Sequence, residues 1–435
     1  MNPGSGVDRI SFLPENVIET ILMGIPLRDA VRTSILSRMW RYRWRNLPSI
    51  VFDEKSFPIS EWRTLSHFEK KLVKSIDQVL LLHGGQIHKF TLDTYLKNPL
   101  SDIDRWILFL SRNGIKELTL DIRRCRFYKL PSCLFSCKEI TRLELHYCTI
   151  KLPERFTGFS NLTVLNLQDV NIPLESLPLL ISSSSYLEEL VLKEVYDCHC
   201  LRICSQKLVH FSVDICCKEL YLESAPILET ASIKIWHPCC MDAPIYGAEC
   251  KLIKLLGRLP SLVRLELIYP TLEAFAWDDV PVRLPMTTQL KHIDMDINFE
   301  AMKDILVALC VFRSSPFLKV LNIKVYLDKD AAGEYEQGFW KEQDLNCSFD
   351  CLQLMEVTEF TGTESELRFI EFVLANAPIL ERVKIYLKTN LKENLGTAVG
   401  VLSELLRFRR SARAEVLWFQ AKTDCKVLWS SFEFV

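Results

Sequence analysis

Glycine is scarce in this chain, with 14 in 435 residues. Few positions can bring backbone close around a phosphate, and no G-x-x-x-x-G-K-[ST], G-x-G-x-x-G or G-x-S-x-G segment occurs. H-E-x-x-H and H-x-E with P-C-x-x-C are also missing, so the metalloprotease and deaminase chemistries have no motif to stand on. Neither sign of charge is in excess. Lys plus Arg number 53 against 55 Asp plus Glu, a balance that argues against bulk nucleic-acid binding and against adsorption to a membrane surface. The longest clean apolar run, Ile305 to Phe312, is far short of a membrane span, and MNPGSGVDRI at the amino terminus lacks the apolar core of a signal peptide. The expectation is a soluble intracellular protein. Cysteine is plentiful at 16, but the residues are scattered through apolar periodic segments of a large chain without an export signal, so buried thiols in a reducing compartment are expected rather than a disulfide framework. With 49% hydrophobic and 25% charged residues the chain has the composition of a folded protein, and its length calls for two or more units.

What is abundant is one short pattern, apolar-x-x-apolar-x-apolar. It starts at Ile115 (IKELTL), Ile140, Leu162, Leu187, Leu208, Leu228, Leu262, Leu290 and Leu318, at intervals of 25, 22, 25, 21, 20, 34, 28 and 28 residues. Most intervals fall in the leucine-rich-repeat range of about 20 to 29, and the interval of 34 implies an insertion around residues 236–251. An earlier copy at Ile87 to Leu92 opens the array, and a shorter candidate lies at Cys217 to Leu222. Each unit supplies one strand whose alternate residues point inward, followed by a return segment, and only stacking with neighbours closes the core. Helical returns are expected over Ser101 to Leu110, with Ser101 as a possible cap, and over Glu300 to Phe312. Repeats of uneven length without an asparagine ladder predict an irregular curved solenoid.

Ahead of the repeats, residues 8–48 form an apolar helical module. Pro14 and Glu15 mark a helix start, and Val17, Ile18, Ile21, Leu22 and Ile25 recur at helical steps until Gly24 and Pro26 stop the helix. Ala30, Val31, Ile35 and Leu36 predict a second short helix; Met39, Trp40, Trp44 and Leu47 predict a third. About 40 residues cannot bury that many large side chains internally. The segment resembles the F-box of plant F-box proteins, carried by Leu13-Pro14, Ile21-Leu22, Ile25-Pro26, Ala30-Val31-Arg32, Ser37, Trp40, Trp44 and Leu47-Pro48. Thr64 to Leu82 then reads as one amphipathic helix, with Leu65, Phe68, Leu72, Ile76, Val79 and Leu80 on one side, bracketing the module onto the repeats.

At the other end, Phe349 to Phe360 is strand-like and Thr363 to Asn376 helical, with Thr363 as cap and Glu366 three residues on. Leu380 to Leu387 is a strand, followed by a helix over about Thr397 to Phe408 and a final strand near Ala414 to Gln420. This tail resembles the FBD domain of plant F-box repeat proteins, carried by Glu356, Phe360, Gly362, Thr363, Glu364, Glu366, Leu367, Phe372, Leu374, Asn376, Ala377, Leu380 and Ile385, then Glu404, Leu405 and Phe408. It departs from that pattern in having Asn346-Cys347-Ser348 where Leu-Pro-x-Cys-Leu often opens the domain, and in its arginine-rich Arg407 to Arg413. The fold class expected is therefore α/β: a three-helix F-box over 8–50, a helical linker over 51–86, an irregular leucine-rich-repeat solenoid over 87–345, and an FBD cap over 346–425 continuing that solenoid.

Several constellations have competing explanations. Arg28, Arg32, Arg38, Arg41, Arg43 and Arg45, interleaved with Trp40, Tyr42 and Trp44, could form a nucleic-acid stripe, or could be arginine stems covering the edge of a packed module. With no wider basic field, the second is preferred. Cys198, His199, Cys200, Cys204, Cys216, Cys217, His237, Cys239, Cys240 and Cys250 offer enough ligands for zinc, yet adjacent cysteines rarely both reach one tetrahedral ion. No metal and no cofactor are expected. Asp294 and Asp296 share a strand face and are expected as solvated positions, not an acid-base pair.

The F-box and FBD resemblance implies a non-catalytic substrate receptor of an SCF-type cullin-RING ubiquitin ligase. Its partners would be a Skp-family adaptor, through it a cullin, and an unknown protein client, with neither nucleic acid nor membrane, in the nucleus, the cytoplasm or both. The adaptor surface is expected from among Leu13, Pro14, Val17, Ile18, Ile21, Leu22, Ile25, Pro26, Ile35, Leu36, Trp40 and Trp44, some of which must face the module's own interior. The client face is expected on the outward strand positions: Glu117, Thr119, Asp121, Arg142, Glu144, His146, Val164, Asn166, Gln168, Glu189, Val191, Lys193, Arg264, Glu266, Ile268, His292, Asp294, Asp296, Val320, Asn322 and Lys324. The alternative from another class is a repeat scaffold acting outside protein degradation.

Overall fold

A computed structural model of the chain describes residues 10, 13–58, 64–96, 101–123, 128–173, 175–196, 200–217, 219–236, 255–256, 258–274, 280–284, 287–327, 347–388, 400–401, 403–405, 407–411 and 413–420. They fall into two compact units, residues 1–208 and 209–435.

The first unit opens with helix α1 (Glu15–Met23). Pro14 sits at the N-cap, just outside the first turn where the sequence placed it, and its carbonyl receives the N–H groups of Val17 and Ile18 at 3.0 and 3.1 Å. Proline is suited to that junction because it has no N–H to leave unpaired. Helix α2 (Leu27–Arg32) is shorter than the second helix expected, because residues Thr33–Ile35 tighten into a 3-10 turn. The third helix does not form. Non-helical turns over residues 38–42 and a 3-10 turn, Arg43–Asn46, stand in its place, and Trp40, Trp44 and Leu47 are nonetheless buried.

A strand not expected from the sequence follows at once, β1 (Ser49–Phe52), and then α3 (Leu65–Leu82), capped by the Thr64 hydroxyl accepting from the His67 N–H at 3.3 Å. Strand β2 (Lys89–Tyr95), helix α4 (Asp102–Arg112), strands β3 (Glu117–Arg123), β4 (Arg142–His146) and β5 (Val164–Asn171), helix α5 (Ser176–Ser182) and β6 (Glu189–Tyr196) complete the series. Ser101 precedes α4 but its hydroxyl caps nothing; Asp102 and Asp104 supply the negative charge of the first turn instead. The six strands pair in parallel in sequence order, β1 to β6. Each repeat start named above lies two residues before its strand, and that first apolar residue is buried together with the next two. Leu118, Leu120, Leu143, Leu145, Leu165, Leu167, Leu190 and Leu192 are all buried.

The second unit repeats this construction. Strands β7 (His210–Cys216), β8 (Thr230–Trp236), β9 (Arg264–Leu267) and β10 (His292–Ile297) pair in parallel, and β11 (Val320–Val325) follows after helix α6 (Met302–Arg313). The shorter candidate at Cys217 to Leu222 is a strand, Glu219–Ser224. The strand expected from Phe349 begins later, as β12 (Leu354–Phe360), since residues 349–353 form the turn into it. Helix α7 (Glu364–Asn376), β13 (Arg382–Leu387) and β14 (Glu415–Gln420) complete the unit, and β12 to β14 pair in parallel with β11 and with one another. Thr363 caps α7 as expected. Within the expected last helix, residues 400–401, 403–405 and 407 are helical; 397–399 lie outside the described residues.

Candidate functional site

Helix α1 carries apolar residues on two sides, and packing can bury only one. Ile18 and Leu22, four apart, are sealed inside; Val17, Ile21 and Ile25, also four apart, face outward. Beyond them the chain leaves Ile35 at 86% and Leu36 at 68% exposure, with Met39 and Tyr42 also exposed. Together with Ile10 and Met23, nine large apolar side chains lie open to solvent between Ile10 and Tyr42. Of the other residues expected at this surface, Pro14 is exposed, Leu13 and Pro26 half-buried, and Trp40 and Trp44 buried. Met39, Tyr42, Ile10 and Met23 were not among the expected contacts. The exposure of Met39 and Tyr42 follows from the irregular 33–46 segment, which no periodicity announces; Met23 ends α1 and Ile10 precedes it.

The patch is fixed by polar ties. Arg43 reaches Glu15 at 2.5 Å, joining the last turn to the start of α1, and the Thr33 hydroxyl donates to the Ala30 carbonyl at 2.7 Å. The guanidinium of Arg45 lies over the Tyr42 ring, 4.3 Å from its centroid. Arg32 pairs with Asp29 at 3.4 Å, while Arg38 and Arg41 are exposed at the rim.

The outward strand positions stand in registered rows. In the first unit one row runs Lys89, Glu117, Arg142, Val164, Glu189; the next runs Thr91, Thr119, Glu144, Asn166, Val191; the third runs Asp93, Asp121, His146, Gln168, Lys193. These side chains bond both along a row and between rows. Lys89 meets Glu117 at 3.1 Å, Arg142 meets Glu144 at 2.6 Å, and Thr119 donates to Glu144 at 3.3 Å. A denser knot lies at the third row. Arg123 reaches Asp93 at 2.9 Å, Asp121 at 3.2 Å and the Tyr95 hydroxyl at 2.8 Å, and His146 Nδ1 lies 3.4 Å from Asp121. Burial works to raise the Asp121 pKa, but hydrogen bonds from His146 and Arg123 outweigh it and hold the carboxyl below its ordinary value. Asp93 goes the other way, raised by burial and by the charge of Asp121.

In the second unit the corresponding rows include His210, Thr230, Arg264, His292 and Val320, and Ser212, Ser232, Glu266, Asp294 and Asn322. Asp294 is not the solvated position expected. It takes Arg264 at 2.8 Å and the Asn322 amide at 2.6 Å. Asp296 accepts the Tyr269 N–H at 3.0 Å, and burial raises its carboxyl pKa. Glu266 is raised by burial, with the Asp294 charge adding to it, and His292 is lowered by burial and by Arg264. The knot around Arg123 and these cross-strand partnerships were not legible from spacing, since their cross-strand members stand 25 to 30 residues apart.

Among the described residues no three His, Cys, Asp or Glu side chains converge as a metal site. Cys198, His199, His237, Cys239, Cys240 and Cys250 lie outside the described residues. No described helix is long and apolar enough to cross a membrane.

Three family models match in order: an F-box domain over residues 10–52, the LRR repeats of "FBD-associated F-box protein At5g56370" over 103–323, and FBD over 346–385. Among similar proteins of Arabidopsis thaliana, "F-box/FBD/LRR-repeat protein At1g13570" is 38% identical over 96% of this chain and all of its own length. "Probable FBD-associated F-box protein At1g32375" is 24% identical over 94% of this chain and 99% of its own. "F-box/LRR-repeat protein At3g59200" is 31% identical over 43% of this chain and 37% of its own.

Proposed function

From its membership of the F-box/FBD/LRR-repeat family, to which this chain belongs, we propose that it is the substrate-recognition subunit of an SCF-type cullin-RING ubiquitin ligase. The F-box docks a Skp-family adaptor and, through it, a cullin. The strand rows of the repeats and the FBD segment, forming an irregular curved solenoid with the FBD as its cap, hold a protein client. The domain limits are those expected above, 8–50, 51–86, 87–345 and 346–425, and the place of action is the nucleus, the cytoplasm or both.

The observation that carries this reading is the open apolar patch between Ile10 and Tyr42. A soluble chain that leaves Ile35 and Leu36 in water has that surface for a partner. The contact is a helix-and-turn surface entering an apolar groove, with a few anchors dominating. We assign direct contact to Val17, Ile21, Ile25, Ile35 and Leu36, with Leu13, Pro14 and Pro26 at their edge; Ile18, Leu22, Trp40 and Trp44 set the shape. The chain itself takes no covalent step. It raises the effective concentration of client near ubiquitin carried by other subunits.

The test is copurification of the full chain with a Skp-type adaptor. Ile35→Asp with Leu36→Asp should weaken adaptor binding by at least about thirtyfold, the scale of losing an anchor worth roughly 2 kcal/mol. Because both side chains are exposed, the melting temperature should not move. An adaptor that ignores the wild-type chain overturns the assignment and favours a scaffold outside degradation.

A further inference from the structure

Helix α3 buries Phe68, Leu72, Ile76 and Leu80 along one stripe and then ends on two leucines that face water, Leu81 at 83% and Leu82 at 41% exposure. A helix end is an odd place to leave two such side chains in an isolated chain. This end is firmly held. The His83 ring lies with Nε2 2.9 Å from the Leu47 carbonyl oxygen, and the Gly84 N–H donates to the Arg45 carbonyl at 3.0 Å. Arg45 covers Tyr42, which belongs to the exposed F-box patch. A short bonded path therefore joins that patch to the leucine pair, all within the first unit.

Charge points to the character of what covers both. Lys74 stands two turns before Leu81 on the same helix face and is exposed, as are Lys70 and Lys71. Arg38 and Arg41 are exposed beside the F-box patch. Cations thus edge the apolar surface at both ends.

Resting on the function proposed above, we propose that the adaptor-docking surface does not stop with the F-box but continues onto the end of α3. Leu81 and Leu82 contact the same adaptor, and the adaptor's groove has an apolar floor with a carboxylate rim facing Lys74, Arg38 and Arg41. The connecting helix is then part of the docking module and fixes the angle at which the repeats leave the adaptor.

The experiment measures adaptor affinity for the full-length wild-type chain and for Ile35→Asp, Leu81→Asp and Leu179→Asp, the last an exposed leucine on α5, further along the sheet. Leu81→Asp should weaken binding tenfold or more with an unchanged melting temperature, and Leu179→Asp should bind as wild type. Lys74→Glu should also weaken binding and flatten its dependence on salt. Should Leu81→Asp disturb the fold, a photo-crosslinking residue placed at 81 decides the matter, capturing the adaptor where one at 179 does not. Wild-type affinity in Leu81→Asp with no crosslink from 81, alongside loss in Ile35→Asp, overturns the extension alone. No wild-type binding at all removes the F-box reading and the extension together.

Discussion

Glu366 is almost fully buried, yet it satisfies the turn before α7. Its carboxylate accepts the Thr361 and Gly362 N–H groups at 2.8 and 2.9 Å, the Thr363 hydroxyl at 3.2 Å and the Thr361 hydroxyl. Glu366→Ala would orphan those donors in the interior and should cost on the order of 3 kcal/mol, read as a lower unfolding midpoint. Burial raises this carboxyl above its ordinary 4.5, and the hydrogen bonds offset only part of the effect. With a folded pKa above the unfolded one, the stability it adds is fully present below 4.5 and is lost as pH rises through the raised value. The wild type should therefore lose ground to Glu366→Gln as pH climbs toward neutrality, measured as the difference between their melting temperatures. Gly158 makes a different demand. Its φ is +93°, and a Cβ there would overlap the Ser183 carbonyl of the next repeat. Gly158→Ala should destabilise the first unit by about 2 kcal/mol or more, seen in thermal melts.

At the scale of elements, Tyr147, Asp169, Glu194 and Glu359 all have positive φ, and each stands five residues after its strand's first residue, Arg142, Val164, Glu189 and Leu354. The FBD strand β12 therefore bends at the same place as β4, β5 and β6, and its register with β13 shifts between Val357 and Phe360. Since a side chain in that conformation is strained, Glu359→Gly should hold or raise stability by up to about 1 kcal/mol, whereas β-branched Glu359→Val should lower it; both are read by denaturant midpoints. The strands themselves were legible because one buried face forces a period of two, visible in every L-x-x-L-x-L. The bend was not, since Tyr, Asp and Glu share no chemistry that announces it. The third F-box helix was misread for a related reason. Trp40 and Trp44 are four apart, which fits a helix, but a turn at Trp40 followed by a 3-10 turn at Trp44 also leaves both of them buried. Strand β1 escaped notice because four residues behind Leu47-Pro48 carry too little periodicity to separate from the F-box.

For the molecule as a whole, each inner leucine belongs to two interfaces, one with the repeat before and one with the repeat after. Leu165→Ala should cost about 2–5 kcal/mol, and hydrogen exchange should show protection lost in β4 and β6 as well as β5. The candidate site was readable to different depths. That the F-box carries surplus apolar surface followed from counting side chains against module size; which of them face outward did not, because α1 is apolar on two sides. The outward strand rows were legible by alternation, but their mutual pairing, as between Arg264 and Asp294, depends on strands brought together across 30 residues. That same alternation has an evolutionary consequence. Along these strands alternate positions keep the protein standing and the ones between them meet the outside, so a lineage can rewrite its vocabulary of targets letter by letter without disturbing the shelf on which the letters sit.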